Sequence, residues 1–265
     1  MGLFSKEACA ICGTETRFTK IKLAGGKYIC SKCDYDMYFH HNYLQGIHEN
    51  VKIPAKNLTL EQVKAYLEIR QKNLQELKTF NWTESLGLEF QIDENSNQVI
   101  FADYSTCTKQ DKLLAKNPPV FKMENLAFMH LAFSETETSQ TATLKATAES
   151  QASLILGFDD PVFDVFKVDI GKLKAKQGIL FDKVKGGDKI QKITDKLTDM
   201  RDRAIEAAEE AGISVPANDI DLFWKMLASS YYKGYITAKE VKDYLKQYCG
   251  NDRAMIKEIK NTYNL

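Results

Sequence analysis

The chain has no apolar run approaching the ~20 residues that a membrane-spanning helix requires, and it opens without the charged-then-apolar pattern of an export signal. It has no excess of charge of either sign. Thirty-six basic and thirty-six acidic residues leave a formal net charge of zero. Strong non-specific attraction to nucleic acid or to an anionic membrane is therefore not expected of the whole chain. Common catalytic signatures are missing too: no phosphate-binding glycine loop, no nucleophile elbow, no His-Glu-x-x-His helix and no dinucleotide fingerprint. The opening residues, Met1 to Lys6, fall short of a myristoylation signal because Lys6 stands where serine or threonine belongs. These absences lead to the expectation of a cytoplasmic protein that is not an enzyme and has no membrane span.

The composition, 44% hydrophobic and 27% charged, is that of a globular protein, and 265 residues allow one large domain or two to three small ones. The strongest chemical signal is a pair of Cys-x-x-Cys motifs. Cys9 and Cys12 precede Gly13, and seventeen residues separate Cys12 from Cys30 and Cys33. Two tight turns of this spacing supply four thiolates to one tetrahedral ion, so Cys9, Cys12, Cys30 and Cys33 are read as holding one structural zinc. A redox pair would occur once, after a strand, and disulfides would imply an exported chain. With four cysteines the coordination is closed, which argues for a structural ion rather than a catalytic one. Nearby His40, His41 and His48 are read as surface or packing side chains. The leftover Cys107 and Cys249 are read as small semi-buried side chains, not nucleophiles.

Between the cysteine pairs, residues 17–23 and 27–30 read as two short strands joined by Ala24-Gly25-Gly26, and 34–42 as a helix. This segment is rich in aromatics (Phe18, Tyr28, Tyr35, Tyr38, Phe39, Tyr43). Two readings stand. They build the core of a small module, or Lys20, Lys22, Lys27, Tyr28 and Lys32 form a surface that stacks bases and contacts phosphates.

Beyond a short linker at 51–55, Thr59 and Gln62 form a capping box for an amphipathic helix over 60–79, with Leu60, Val63, Leu67, Leu74 and Leu77 on one face. The period then shortens. Residues 88–92, 98–104, 120–123, 125–133, 153–158 and 162–170 read as strands, with turn clusters at 93–97 and 159–161. The polar stretch 134–151 reads as a long loop or an irregular strand. Residues 188–211 carry an apolar stripe (Ile190, Ile193, Leu197, Met200, Ala204) in a helix ended by Gly212. That stripe serves either as a coiled-coil seam or as a lid on a sheet. Helices at 219–231, with Leu222, Phe223, Met226 and Leu227 inward, from Thr237 (a capping box with Glu240), carrying Val241, Leu245 and Tyr248, and at 252–263 close the chain. The carboxylate pairs Asp159-Asp160 and Asp219-x-Asp221 read as a turn and a helix start. His130, in an apolar strand, reads as a packed core residue.

On the residues quoted, three resemblances emerge. Met-Gly-Leu-Phe followed by the four cysteines resembles a domain-of-unknown-function family of bacterial and phage proteins with an N-terminal zinc ribbon. The middle, from Val99-Ile-Phe101 through Phe158-Asp-Asp-Pro161 to the long helix, is similar to pleckstrin-homology-like domains, in which a bent sheet is closed by a helix. The stretch from Tyr232 to Leu245 resembles the SHOCT short C-terminal module, which implies oligomerisation or interaction. The expected fold is α+β: a treble-clef or zinc-ribbon finger (1–50), a connecting helix (51–82), an antiparallel PH-like sheet closed by a helix (83–213) and a C-terminal helical hairpin module (214–265). The expected function is a zinc-binding interaction or adaptor protein with a protein partner or self-association. Nucleic-acid binding through the finger is the alternative, and lipid headgroup binding by the sheet a weaker one.

Overall fold

A computed structural model describes residues 7–16, 19–37, 55–86, 90–101, 118–136, 147–160, 163–176 and 187–265. The chain is mixed helix and sheet, with small antiparallel sheets and a helical C-terminus, and it divides into two compact units. Expectations for Phe18, Tyr38, Phe39, His40, His41, Tyr43, His48, Cys107 and the linker before Ala55 fall outside the described residues.

The first unit opens with two short ladders. β1 (Glu7–Ala8) pairs with β2 (Glu15–Thr16), and β3 (Lys20–Lys22) pairs with β4 (Tyr28–Cys30). The second hairpin turns where the glycines predict. Gly26 takes φ 78°, the left-handed region open to glycine, while Leu23 N donates to Lys27 O at 2.8 Å. α1 (Ser31–Met37) follows directly and starts three residues earlier than the sequence suggests. After a 3-10 turn at Ala55–Asn57, α2 (Leu60–Thr79) matches its expected span, and the Thr59–Gln62 capping box is formed in both directions. Its buried stripe differs from the apolar reading: Val63 and Leu77 are buried, but so are Arg70 and Asn73. Asn73 sits there because its amide acts as a surrogate strand, donating to Pro118 O at 2.9 Å and accepting from Val120 N at 2.8 Å.

The second unit begins with a four-stranded antiparallel sheet in chain order: β5 (Glu84–Leu86), β6 (Phe90–Asp93), β7 (Gln98–Phe101) and β8 (Phe121–Lys122). The β6–β7 turn is tied by Asp93 Oδ1, which accepts from Asn95 N and Ser96 N, and Asn97 takes φ 52°. A 3-10 turn at Met123–Asn125 leads into a three-stranded antiparallel sheet: β9 (Leu126–Thr136), β10 (Thr147–Phe158) and β11 (Val165–Lys176). Both ends of the 134–151 stretch are thus in regular strand, and β11 runs six residues past its expected end. Residues such as Ser150 and Gln151 gain their order from ladders on two sides, which an alternation test on one strand cannot detect. The two sheets share a phenylalanine core, with Phe121 4.8 Å from Phe158 and Phe101 5.4 Å from Phe166, ring centre to ring centre.

α3 (Gly187–Glu210) buries Ile190, Ile193, Leu197, Met200, Ala204 and Ala208 within this unit, so the stripe is used for packing inside the chain. Three helices follow: α4 (Ile220–Tyr232), α5 (Ala238–Cys249) and α6 (Arg253–Tyr263). Each starts on a side-chain cap, from Asp219, Thr237 and Asp252. The expected α4–α5 hairpin therefore carries a third helix. They bury Trp224, Leu227, Ile236, Val241, Leu245 and Ile259 against Phe128, Ile155 and Val165 of the three-stranded sheet. α4 comes so close to β10 that a side chain at Gly157 would meet Met226 Cβ at 2.9 Å. Tyr248 is about half exposed (48%), its ring set edge-on to Trp224.

Candidate metal centre

β1 and β2 flank the first cysteine pair, and the chain between them forms a tight knuckle. Cys9 N donates to Thr14 O, Gly13 N donates back to Cys9 O, each at 2.9 Å, and Gly13 takes φ 73°. Ala10 N reaches across to Tyr28 O at 2.8 Å, which fixes the knuckle to β4. The second pair straddles the junction of β4 and α1, so Cys30 ends a strand and Cys33 lies in the first helical turn. Backbone N–H groups then point at sulfur: Cys30 N donates to Cys9 Sγ at 3.3 Å and Cys33 N to Cys30 Sγ at 3.4 Å.

The result is a cluster whose four Sγ atoms all lie within 4.8 Å of one another. Cys9 and Cys33 are 3.7 Å apart, as are Cys12 and Cys30. A tetrahedral zinc with Zn–S bonds of 2.3 Å would set its sulfurs about 3.8 Å apart, so the spacing fits a single ion. Three of the four cysteines are buried and Cys12 is exposed. The local core is small: Leu23, Ile29, Ala55, Leu58 and Val63 are buried together with three of the cysteines themselves, and Ile11, Ile21, Leu60, Tyr66 and Leu67 pack against them half-buried.

The electrostatics of the cluster point the same way. Burial works against the Cys9 thiolate, but N–H groups of Cys12, Cys30 and Ile11 together bring its thiol below the ordinary range. The Thr14 hydroxyl and N–H hold Cys12 lower still, at about 6, with Thr14 Oγ1 3.3 Å from its sulfur. Cys33 moves the opposite way: burial, then the crowding of Cys30, Cys12 and Cys9, pushes it far up. Sulfurs this close cannot all ionise unaided, and a divalent cation at their centre removes the conflict. Tetrahedral four-sulfur sets suit zinc or iron.

The other sequence candidates are placed as follows. Lys22, Lys27 and Lys32 are exposed, and the hairpin register sets Lys22 opposite Tyr28. The Lys20 ammonium lies 5.0 Å over the Tyr28 ring, so these two side chains pack on each other. The Asp219 and Asp160 carboxylates do cap backbone: Asp219 accepts from Asp221 N and Leu222 N, and Asp160 from Phe163 N. Cys249 is half-buried, and burial with Asp252 nearby pushes its thiol up.

One polar cluster escapes a reading of the sequence. His130 is not merely a packed residue of β9; both its ring nitrogens are engaged, Nδ1 with Tyr244 OH and Nε2 with Glu240 Oε1, each at 2.9 Å. The same Glu240 closes the α5 capping box through its other oxygen, taking Thr237 N and Oγ1 at 2.7 Å. Burial pushes the Tyr244 hydroxyl up to about 12, so it stays protonated. The only advance signal was the Thr237–Glu240 box, and the histidine lies 110 residues from its carboxylate partner.

Comparison with protein-family models, with curated proteins and with solved structures finds no match to this chain.

Proposed function

We propose that this chain is a non-catalytic interaction protein whose N-terminal finger is folded by one structural zinc ion. The observation that carries the reading is the closed sulfur set: Cys9, Cys12, Cys30 and Cys33 supply four ligands, three of them buried. Four thiolates fill a tetrahedron and leave no position for water or substrate. When bound, the ion supplies folding energy to a module with little apolar core.

The finer assignments belong to the same proposal. Knuckle, hairpin and a second pair at a helix start support a treble-clef or zinc-ribbon finger. Four antiparallel strands, then three, then a long helix support a PH-like middle domain. The Gly234 turn and the Thr237 capping box between α4 and α5 support a SHOCT-like module, here with an extra helix. Membership in the bacterial and phage zinc-ribbon family, cytoplasmic location, and recruitment of a protein partner or a second copy complete the reading. Among the described residues no helix is long and apolar enough to cross a membrane.

Nucleic-acid binding is the second reading, favoured by the exposed Lys22, Lys27 and Lys32. Against it, Glu7, Glu15, Asp34 and Asp36 share the finger with the lysines, and Lys20 is engaged with Tyr28. The test is affinity capture of the tagged chain from its host, with and without residues 214–265, alongside light scattering of the purified protein. A defined partner, or a defined oligomer, lost on truncation supports the adaptor reading. A monomer that retains nucleic acid, releases it with added salt and loses it in a Lys22→Glu, Lys27→Glu, Lys32→Glu variant replaces it with the second reading.

A further inference from the structure

We propose that the finger is a peroxide-responsive switch, in which Cys12 is oxidised first, a neighbouring cysteine closes a disulfide on it and the ion is released; this is a regulation of the site assigned to zinc and rests on that reading. The four cysteines differ in what covers them. Cys9, Cys30 and Cys33 are 3%, 5% and 6% exposed, and they share a buried cluster with Leu23, Ile29 and Val63. Cys12 is exposed, and so are Gly13, Thr14 and Glu15 beside it at the tip of the knuckle. A Cβ placed on Gly13 would meet nothing within 4 Å, so among the described residues nothing covers the chain next to Cys12.

A solvent-accessible thiolate with a second cysteine in reach is the arrangement that oxidises reversibly. A cysteine that ligates a metal is held deprotonated, so Cys12 would present a nucleophilic sulfur to solvent without help from a base. Every other sulfur of the cluster lies within 4.8 Å, with Cys30 at 3.7 Å, so a resolving partner is already in place. Charge selects the kind of oxidant. Four thiolates outweigh the charge of one divalent ion, and the exposed Glu15 adds to the negative side, so an anionic oxidant is repelled where a small neutral peroxide is not.

The chemistry balances with hydrogen peroxide as the oxidant. The Cys12 sulfur attacks one peroxide oxygen; an S–O bond forms, the O–O bond breaks and hydroxide leaves, so Cys12 becomes a sulfenic acid. A neighbouring thiolate then attacks the Cys12 sulfur; the S–S bond forms, the S–O bond breaks and a second hydroxide leaves. Both hydroxides take protons from solvent. The two cysteines are oxidised by one electron each, the peroxide is reduced to water, and the zinc keeps its charge throughout. With two of its ligands tied in a disulfide the ion is lost, and the finger, whose own core is small, opens.

The test uses the full-length chain with Cys107→Ser and Cys249→Ser, so that only the cluster can react, loaded with zinc and treated with hydrogen peroxide. Released zinc is read with a chromogenic chelator, and the oxidised cysteines are identified by differential alkylation and peptide mass. The first disulfide is expected to contain Cys12, and a dithiol reductant with added zinc is expected to restore the finger's amide NMR spectrum. Two variants keep four ligands. Cys12→His removes the exposed thiolate and is expected to release zinc about tenfold more slowly or less, whereas Cys33→His, at a buried position, is expected to release it at close to the unaltered rate. Equal rates in the two variants overturn the proposal, as does a first disulfide that excludes Cys12. If either variant loses its zinc unaided, the peptide map of the chain with all four cysteines decides alone. A chain that takes up no zinc overturns both the switch and the zinc reading. A chain that takes up zinc and keeps it in excess peroxide overturns the switch alone.

Discussion

The cysteine finger and the C-terminal helices face the same difficulty, too little apolar surface of their own, and they meet it by different means. The finger draws its fold from side chains that bind a metal: of its buried residues, Cys9, Cys30 and Cys33 are themselves candidate ligands. The helices draw theirs from a neighbour, by laying Trp224, Leu227, Val241 and Leu245 against Phe128, Ile155 and Val165 of the sheet. One solution is local and legible in a short motif. The other depends on residues far apart in the chain. The contrast shows that a small module is stabilised by whatever supplies the missing burial, and that its sensitivity to metal, to packing and to pH follows from which solution it uses.

The sharpest way to break this comparison is at the metal. Replacing Cys9 and Cys12 with serine should unfold residues 7–37, since structural zinc contributes an apparent binding free energy of about 10 kcal/mol or more. Amide NMR signals of the finger should collapse to the unfolded range while those of α4, α5 and α6 keep their dispersion. Loss of both sets together would refute the separate bases of stability.

The helices should answer to packing instead. Gly157→Ala pushes a methyl group into Met226 Cβ, 2.9 Å from where it would sit, and into Phe128 Cβ at 3.1 Å. The expected cost is about 1–3 kcal/mol, read in urea by the fluorescence of Trp224 in a Trp82→Phe background. The same change should leave the finger's zinc affinity as it was.

Acid provides a finer separation. Burial opposes the Glu240 carboxylate, but the Thr237 N–H and hydroxyl and the His130 ring outweigh it and hold the group below the usual carboxylate value of 4.5. A carboxylate lowered in the folded state stabilises the fold above its unfolded pKa, and that contribution is lost as pH falls through the folded one. The Trp224 signal should therefore report weakening stability below about pH 4.5, with a shallower slope in Glu240→Gln. An unchanged slope would show that the His130 contact has no energetic role. At neutral pH, Thr237→Ala should cost more than Thr59→Ala, although each removes one capping hydroxyl worth about 1 kcal/mol. Thr237 also steadies the carboxylate that holds His130, whereas Thr59 serves only its own helix.

What the sequence disclosed follows the same division. The cysteine spacing, the Thr59 and Thr237 boxes, the glycine stops at Gly212 and Gly234 and the α3 stripe are local patterns, and each has its expected place. The outer parts of β9, β10 and β11 were not legible, because ladder pairing orders their polar residues without any apolar alternation. The burial of Arg70 and Asn73 was not legible either, since a buried amide declares itself only through the backbone it meets. The His130–Glu240–Tyr244 cluster joins a strand to a helix across most of the second unit, and no window of sequence contains it.

The central claim is that a metal folds the finger, and a zinc titration of the metal-stripped chain, followed by the amide NMR spectrum of residues 7–37, tests it most directly. The account predicts an unfolded finger that folds with the first equivalent of zinc, with four sulfurs around the ion by X-ray absorption. A finger that keeps its native spectrum without metal, or an ion bound by fewer than four sulfurs, would contradict it.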